Sequence, residues 1–286
     1  DLHSLLNTDA LGLQTAGLAR DSVTRLLSIL DHSHVPATVA GIPGARLSDQ
    51  ASLFGTIDFT PPSSTTGQAF NLTFNGSWSR QDPSGITTTE LPAHSGERSN
   101  YYGGVQGRHS SYFGFGILTE TNVGVNRMHF SGSPFVDLPS GSVRVNSTFA
   151  DGLAGVQNVA FGGNPGMNIS STTTTGQFMN SLSWFSENNK HRLKFTTELR
   201  RDQYAQDLTA NQLGSFSFNS LADLEAGRPA VFTRQLTPRA RSESQWIGGM
   251  SLGDSYRPTD DLQLQYGVRL DGNRFSTDPL YNSSVE

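Results

Sequence analysis

From residue 51 onward, apolar and polar positions alternate with a period of two, the signature of strands with one apolar and one polar face. In residues 262–271, Leu262, Leu264, Tyr266, Val268 and Leu270 share one side, and Gln263, Gln265, Gly267, Arg269 and Asp271 share the other. Phe70, Leu72, Phe74 and Trp78 stand likewise against Asn71, Thr73, Asn75 and Ser77. Phe113, Phe115, Ile117, Val123 and Val125 oppose Gly114, Gly116, Glu120, Asn122 and Asn126, with Leu118 out of step. Phe178, Leu182 and Trp184, then Leu193, Phe195 and Leu199, repeat the theme. The pattern predicts about eight strands, near 53–60, 69–79, 99–108, 113–127, 172–185, 191–202, 244–256 and 261–275. Residues 1–50 read differently. Val23, Leu26, Leu27 and Leu30 recur at helical spacing, Asp21 or Ser22 can cap, and Pro36 closes the segment, which predicts a short helix over 22–30.

Alternation leaves open which face is inside. A soluble sandwich buries the apolar face, whereas an outer-membrane barrel turns it to lipid and encloses the polar one. The connections favour the barrel. Those at 61–68, 109–112, 186–191 and 257–261 are short, and those at 80–98, 128–171 and 202–243 are long. Tight turns alternating with long loops are what an up-and-down barrel shows when one rim faces the periplasm and the other the outside. The expected fold is therefore all-β: a partial, antiparallel, up-and-down transmembrane β-barrel over 51–286, with a short N-terminal helix in 1–50. Each strand comes close to or exceeds the ~10 residues that a tilted membrane strand needs. Trp78, Trp184, Trp246 and Tyr256 lie near strand ends, where a membrane-interface girdle would place them; in a sandwich they would be core aromatics. Within 202–243, Asn219 or Ser220 can cap a small helix that stops at Gly227 and Pro229.

Composition sharpens this picture. Hydrophobic residues make up 35% and charged residues 16%, both below the usual globular share, and 30 glycines help fill the gap. The polar strand faces are too neutral and too glycine-rich for an ordinary solvent-facing sheet, and they suit a crowded aqueous lumen. A net charge of −5 with scattered basic residues argues against a nucleic-acid partner. Cysteine is absent, so no disulfide or thiolate metal site is available. No apolar run approaches the ~20 residues of a membrane helix, and the first residues lack the basic start and apolar core of a signal peptide.

Candidate chemistry is sparse. Gly249–Gly253 spells G-x-S-x-G, but a nucleophile elbow needs its serine on a strand-to-helix turn, and Ser251 lies in an alternating segment. The run Asp31, His32, Ser33, His34 could offer metal ligands, yet it follows a helix end, where cationic side chains are commonplace. Glu187, Glu198 and Asp202 are spread over a turn and strands without pairing, and no phosphate loop or dinucleotide fingerprint occurs. No catalytic residue, metal or cofactor is expected, and the chain does not read as an enzyme. Arg192, Lys194, Glu198, Arg200 and Arg269 fall on polar faces and are the candidate lumen-facing residues. They would brace the wall or a plug through salt links, or guide an anionic solute.

The last third carries a resemblance. "GSFSFNSLADLEAGRPAVFTRQL", "SQWIGGMSLGDSYRPTDDLQLQYGVRLD" and "DPLYNSSVE" resemble the barrel of TonB-dependent outer-membrane receptors of the subgroup with a carboxypeptidase-regulatory-like front domain. The matching positions are Gly214, Phe216 and Phe218 before a small helix, the turn from Arg257 to Asp261, and Tyr266, Gly267, Arg269 and Asp271 in the final strand. "RDSVTRLLSIL" and "NGSWSRQD" are similar to segments near the start of such barrels. The resemblance implies a bacterial outer-membrane transporter, in contact with membrane lipid, that takes up a scarce solute when a TonB complex acts on its plug. Such barrels have about 22 strands, so the expectation is a stretch of a larger receptor whose plug and TonB box are not in this chain. The alternatives are a truncated scaffold or adhesive subunit docking through its strand edges, or a small passive pore.

Overall fold

The computed structural model describes residues 10–42, 46–62, 67–85, 87 and 89–277. In chain order the elements are helices α1 (Ala10–Thr15) and α2 (Arg20–His32), then strands β1 (Leu47–Phe59), β2 (Ala69–Ser84), β3 (Gly96–Gly114), β4 (Ile117–Pro134), β5 (Ser140–Thr148), β6 (Ala154–Gly162), β7 (Ser170–Phe185), β8 (His191–Asp207) and β9 (Ser215–Phe218). Helix α3 (Leu221–Glu225) and strands β10 (Val231–Thr233), β11 (Ala240–Thr259) and β12 (Leu262–Phe275) complete the chain. Eight strands form one sheet in the order β1-β2-β3-β4-β7-β8-β11-β12, and β10-β9-β5-β6 form a second, smaller one.

Every neighbouring pair in the large sheet is antiparallel. The sheet is open, with one edge of β1 and one of β12 unpaired among the described residues. Its register carries the sequence alternation straight across: Leu252 faces Phe195 and Val268 on its two sides, Phe195 faces Leu182, and all belong to one apolar surface. That surface is not a core. Leu252, Val268 and Leu270 are 49%, 74% and 76% exposed, and every buried Leu, Ile, Val, Phe, Met or Ala side chain among the described residues lies outside the large sheet.

The buried apolar residues are in a cap at the long-loop end. In β5, Val143 and Val145 turn inward while Arg144 and Asn146 face out, the half-buried pattern of a covered sheet. Helix α2 buries Val23, Leu26, Ile29 and Leu30 along one stripe, and with Leu13, Leu91, Val159, Phe161 and Leu221 they form one cluster. The helix start is tied to β5, where the Ala19 N–H donates to Ser147 Oγ at 2.9 Å, and Arg25 pairs with Glu225 of α3 at 2.6 Å. The Leu91 N–H donates to the Ala160 carbonyl, and His94 Nδ1 lies 3.2 Å from the Phe161 carbonyl, so the β2–β3 loop joins the same unit.

Several expectations need correction. The β3–β4 turn is not at 109–112 but at Gly114-Phe115-Gly116, where φ is 83°, 50° and 75°. The two glycines supply left-handed backbone; the run of Phe113, Phe115 and Ile117 imitated a strand and hid the turn. The 128–171 connection is not a plain loop: β4 continues to Pro134, and the β5–β6 hairpin occupies most of the rest. In 202–243, β8 runs on to Asp207 and β11 starts at Ala240, with β9, α3 and β10 between them. Helix α2 is longer than 22–30, and β1 begins at Leu47. Ser220 caps α3 as its sequence suggests, its hydroxyl accepting the Asp223 N–H at 3.1 Å.

Candidate functional site

The polar face of the large sheet gathers charge at one place. Register and alternation put Arg192, Lys194, Glu198 and Arg200 of β8 on the same face as Arg269 of β12, with Gly249 of β11 directly between Glu198 and Asp271. Arg269 Nη2 donates to Glu198 Oε2 at 2.7 Å, and its Nε donates to both Asp271 oxygens at 2.9 Å. Arg200 donates to Asp202 through Nε at 2.8 Å and Nη2 at 2.5 Å, and the Thr175 hydroxyl donates to the same carboxylate at 2.9 Å. A Cβ at position 249 would lie 2.6 Å from Asp271 Oδ1 and 3.0 Å from Arg269 Nη2. Glycine there is what lets the guanidinium cross β11 to reach Glu198.

Beside this network runs a groove of about 390 Å³ whose walls include Gln106, Asn122, Gln177, Glu198, Arg200 and Asp271. Two carboxylates, Glu198 and Asp271, balance two guanidiniums, Arg200 and Arg269, on its walls. Both guanidiniums are already occupied, so they act as braces and offer nothing to an anion. Both guanidiniums are about half exposed, which limits each pair to about 0.2–1 kcal/mol. Arg192 stands apart, over the Phe185 ring at 5.0 Å, and Lys194 lies between Ser183 and Gly253 with no ion pair among the described residues.

The other face carries the aromatic candidates. Trp184 and Tyr256 sit toward the short turns, while Trp78 and Trp246 sit toward the cap, well inside their strands because β2 and β11 run on past them. Tyr256 stacks on His191 at 4.4 Å, Tyr101 on His129 at 5.1 Å, and Arg201 lies over the Trp246 ring at 5.5 Å. In β8 the apolar stretch runs from His191 to Arg201, which at ~3.3 Å per residue and a 35–45° tilt spans about 25 Å of height. Strand β11 has 20 residues, so the sheet continues beyond that band toward the cap.

One polar residue breaks the apolar face. Asp254 follows Trp246, Gly248, Met250 and Leu252 on the same side, yet it is only 8% exposed. Tyr266 donates its hydroxyl to Asp254 Oδ2 at 2.8 Å, and His191 Nδ1 donates to the same oxygen at 2.7 Å. The signal was present in the sequence as the single carboxylate in an otherwise apolar row. Ser251 lies mid-strand in β11, which turns directly into β12, so no strand-to-helix elbow exists there. His32 ends α2, and among the described residues no three His, Asp or Glu converge as metal ligands.

The model of the outer membrane beta barrel domain family matches residues 45–284, all eight strands of the large sheet included. The chain belongs to this family. No curated protein and no solved structure matches it significantly. An outer-membrane barrel domain resides in the bacterial outer membrane, and that accounts for the architecture: strands long enough to span, an apolar face left exposed, and connections alternately tight and elaborated.

Proposed function

We propose that this barrel domain is part of the wall of a TonB-dependent outer-membrane transporter, with its apolar face on lipid and its polar face lining an aqueous lumen through which a scarce solute is taken up. The observation that carries the reading is an open eight-stranded sheet whose apolar face has no core packed against it and whose polar face is braced by Arg200–Asp202 and Glu198–Arg269–Asp271. The placement of the resembling segments supports it. Gly214 adopts a φ of 97° ahead of Phe216 and Phe218, α3 follows, and Tyr266, Gly267, Arg269 and Asp271 share the final strand. In this reading Trp78, Trp184, Trp246 and Tyr256 anchor the band at its two interfaces. Further strands pair with β1 and β12, because an unpaired edge within hydrocarbon leaves backbone groups unsatisfied.

The test is the intact mass of the protein from its native outer membrane, with in situ cross-linking to TonB. A mass far above 30.9 kDa together with a TonB adduct is the expected result. A mass near 30.9 kDa without an adduct overturns it and favours a scaffold that docks through its two strand edges.

A further inference from the structure

Three arginines stand on the apolar face at its border with the cap. Arg201 of β8 and Arg274 of β12 flank Trp246 of β11 in one row, and Arg127 of β4 lies one same-face step further up, opposite Thr174. All three are exposed. Arg80, Arg108, Arg200 and Arg269 in the same sheet each hold a carboxylate, whereas among the described residues these three have none within ion-pairing distance. On this face of β4, β7, β8, β11 and β12 the carboxylates are Asp207, at the far end of β8, and Asp254, near the opposite rim.

Directly below the Arg201–Trp246–Arg274 row, Gly248 and Gly272 face each other across β11 and β12. A Cβ at Gly272 would meet nothing within 4 Å, and one at Gly248 nothing nearer than 3.8 Å. The missing side chains leave an open furrow of about 450 Å³ walled by Phe178, Leu199, Met250 and Leu270. A cationic row thus sits on top of an apolar slot.

We propose that this is a binding site for a phosphorylated, multiply acylated glycolipid of the outer leaflet. Long loops mark the external rim, so the arginines lie at outer-leaflet headgroup depth. Guanidinium forks suit phosphate oxygens, and without a carboxylate partner they present that charge to lipid. Strand spacing sets Arg201 and Arg274 about 10 Å apart and Arg127 about 10 Å further along the sheet. A headgroup with one phosphate cannot meet all three; one with two phosphates on a sugar core can. The sugar lies against Trp246, and an acyl chain fills the furrow between Gly248 and Gly272.

The site rests on the lipid-outward assignment of the apolar face. Its test is native mass spectrometry of the full-length protein in neutral detergent, titrated with diphosphorylated lipid A, dephosphorylated lipid A, phosphatidylglycerol and inorganic phosphate. Diphosphorylated lipid A is expected to bind roughly tenfold or more tightly than the other lipids, and Arg201→Gln/Arg274→Gln to remove that margin. Gly248→Leu, which fills the furrow and leaves the arginines, should weaken lipid A binding as well. Equal affinity for the dephosphorylated form or for phosphatidylglycerol overturns the site, as does full competition by inorganic phosphate; these comparisons use the unaltered protein and stand even if a variant fails to fold. Phe195→Arg separates the two levels of failure. If it destabilises the inserted protein no more than Thr196→Arg does, the outward assignment is wrong; if it destabilises it at least tenfold more in the unfolding equilibrium while the titrations show no preference, only the lipid site is wrong.

Discussion

Replacing Phe195 with arginine tests the two-face assignment most directly. Phe195 is 40% exposed on the apolar face, flanked in register by Leu182 and Leu252 on strands that are themselves paired on both sides, so no free edge complicates the result. Going toward Arg201 it is three same-face steps from the border of the band, and going toward His191 it is two. At ~3.3 Å per residue these are about 20 Å and about 13 Å along the strand, further than an arginine can snorkel without distorting the bilayer. A guanidinium at this depth costs about 2–4 kcal/mol, or about 30- to 700-fold in the folding equilibrium. Thr196→Arg is the control, because its neighbours Ser181 and Ser251 lie on the polar face and Glu198 is two residues away. Its effect should stay within about 0.5 kcal/mol. The assay is reversible denaturant unfolding of the vesicle-inserted protein, followed by tryptophan fluorescence. Equal effects, or a larger effect at position 196, would refute the assignment of lipid to the apolar face.

Four further outcomes follow from particular contacts. Gly249→Ala should push Arg269 off Glu198 and cost about 1 kcal/mol, and a double-mutant cycle with Glu198→Gln should show that the two changes are not additive. Tyr266→Phe removes one of the two side-chain donors to buried Asp254 and should cost about 1–3 kcal/mol in the same unfolding assay. In the cap, Leu26→Ala empties a fully buried site and should cost about 2–5 kcal/mol, seen as faster proteolysis of 134–170 and 207–240; Arg25→Ala, which breaks an exposed pair, should change cleavage little. Phe115→Gly at the β3–β4 turn relieves a left-handed φ of 50° on a side chain that is 91% exposed, and should leave stability unchanged or raise it by about 1 kcal/mol.

What the sequence determined by itself is the part governed by local periodicity. A period of two, read with the lengths of the connections, was enough for the count of large-sheet strands, their up-and-down order, and the division of Phe195 from Thr196 or Leu264 from Gln265. Ser220 and Gly227 marked α3 because capping and left-handed termination are also local. The turn at Gly114–Gly116 was locally encoded too, but Phe113 and Phe115 kept the alternation running through it. Only the tertiary structure decided the rest, because the deciding contacts join residues far apart in the chain. Arg269 meets Glu198 across Gly249, and Asp254 draws its donors from His191 and Tyr266 on two different strands. Helix α2 finds its partner face only once the β5–β6 hairpin and α3 have come together above the rim. In the proposed lipid-outward arrangement the apolar face of the large sheet needs no such partner, since hydrocarbon is its solvent. Among the described residues the cluster of buried apolar side chains therefore lies in the cap.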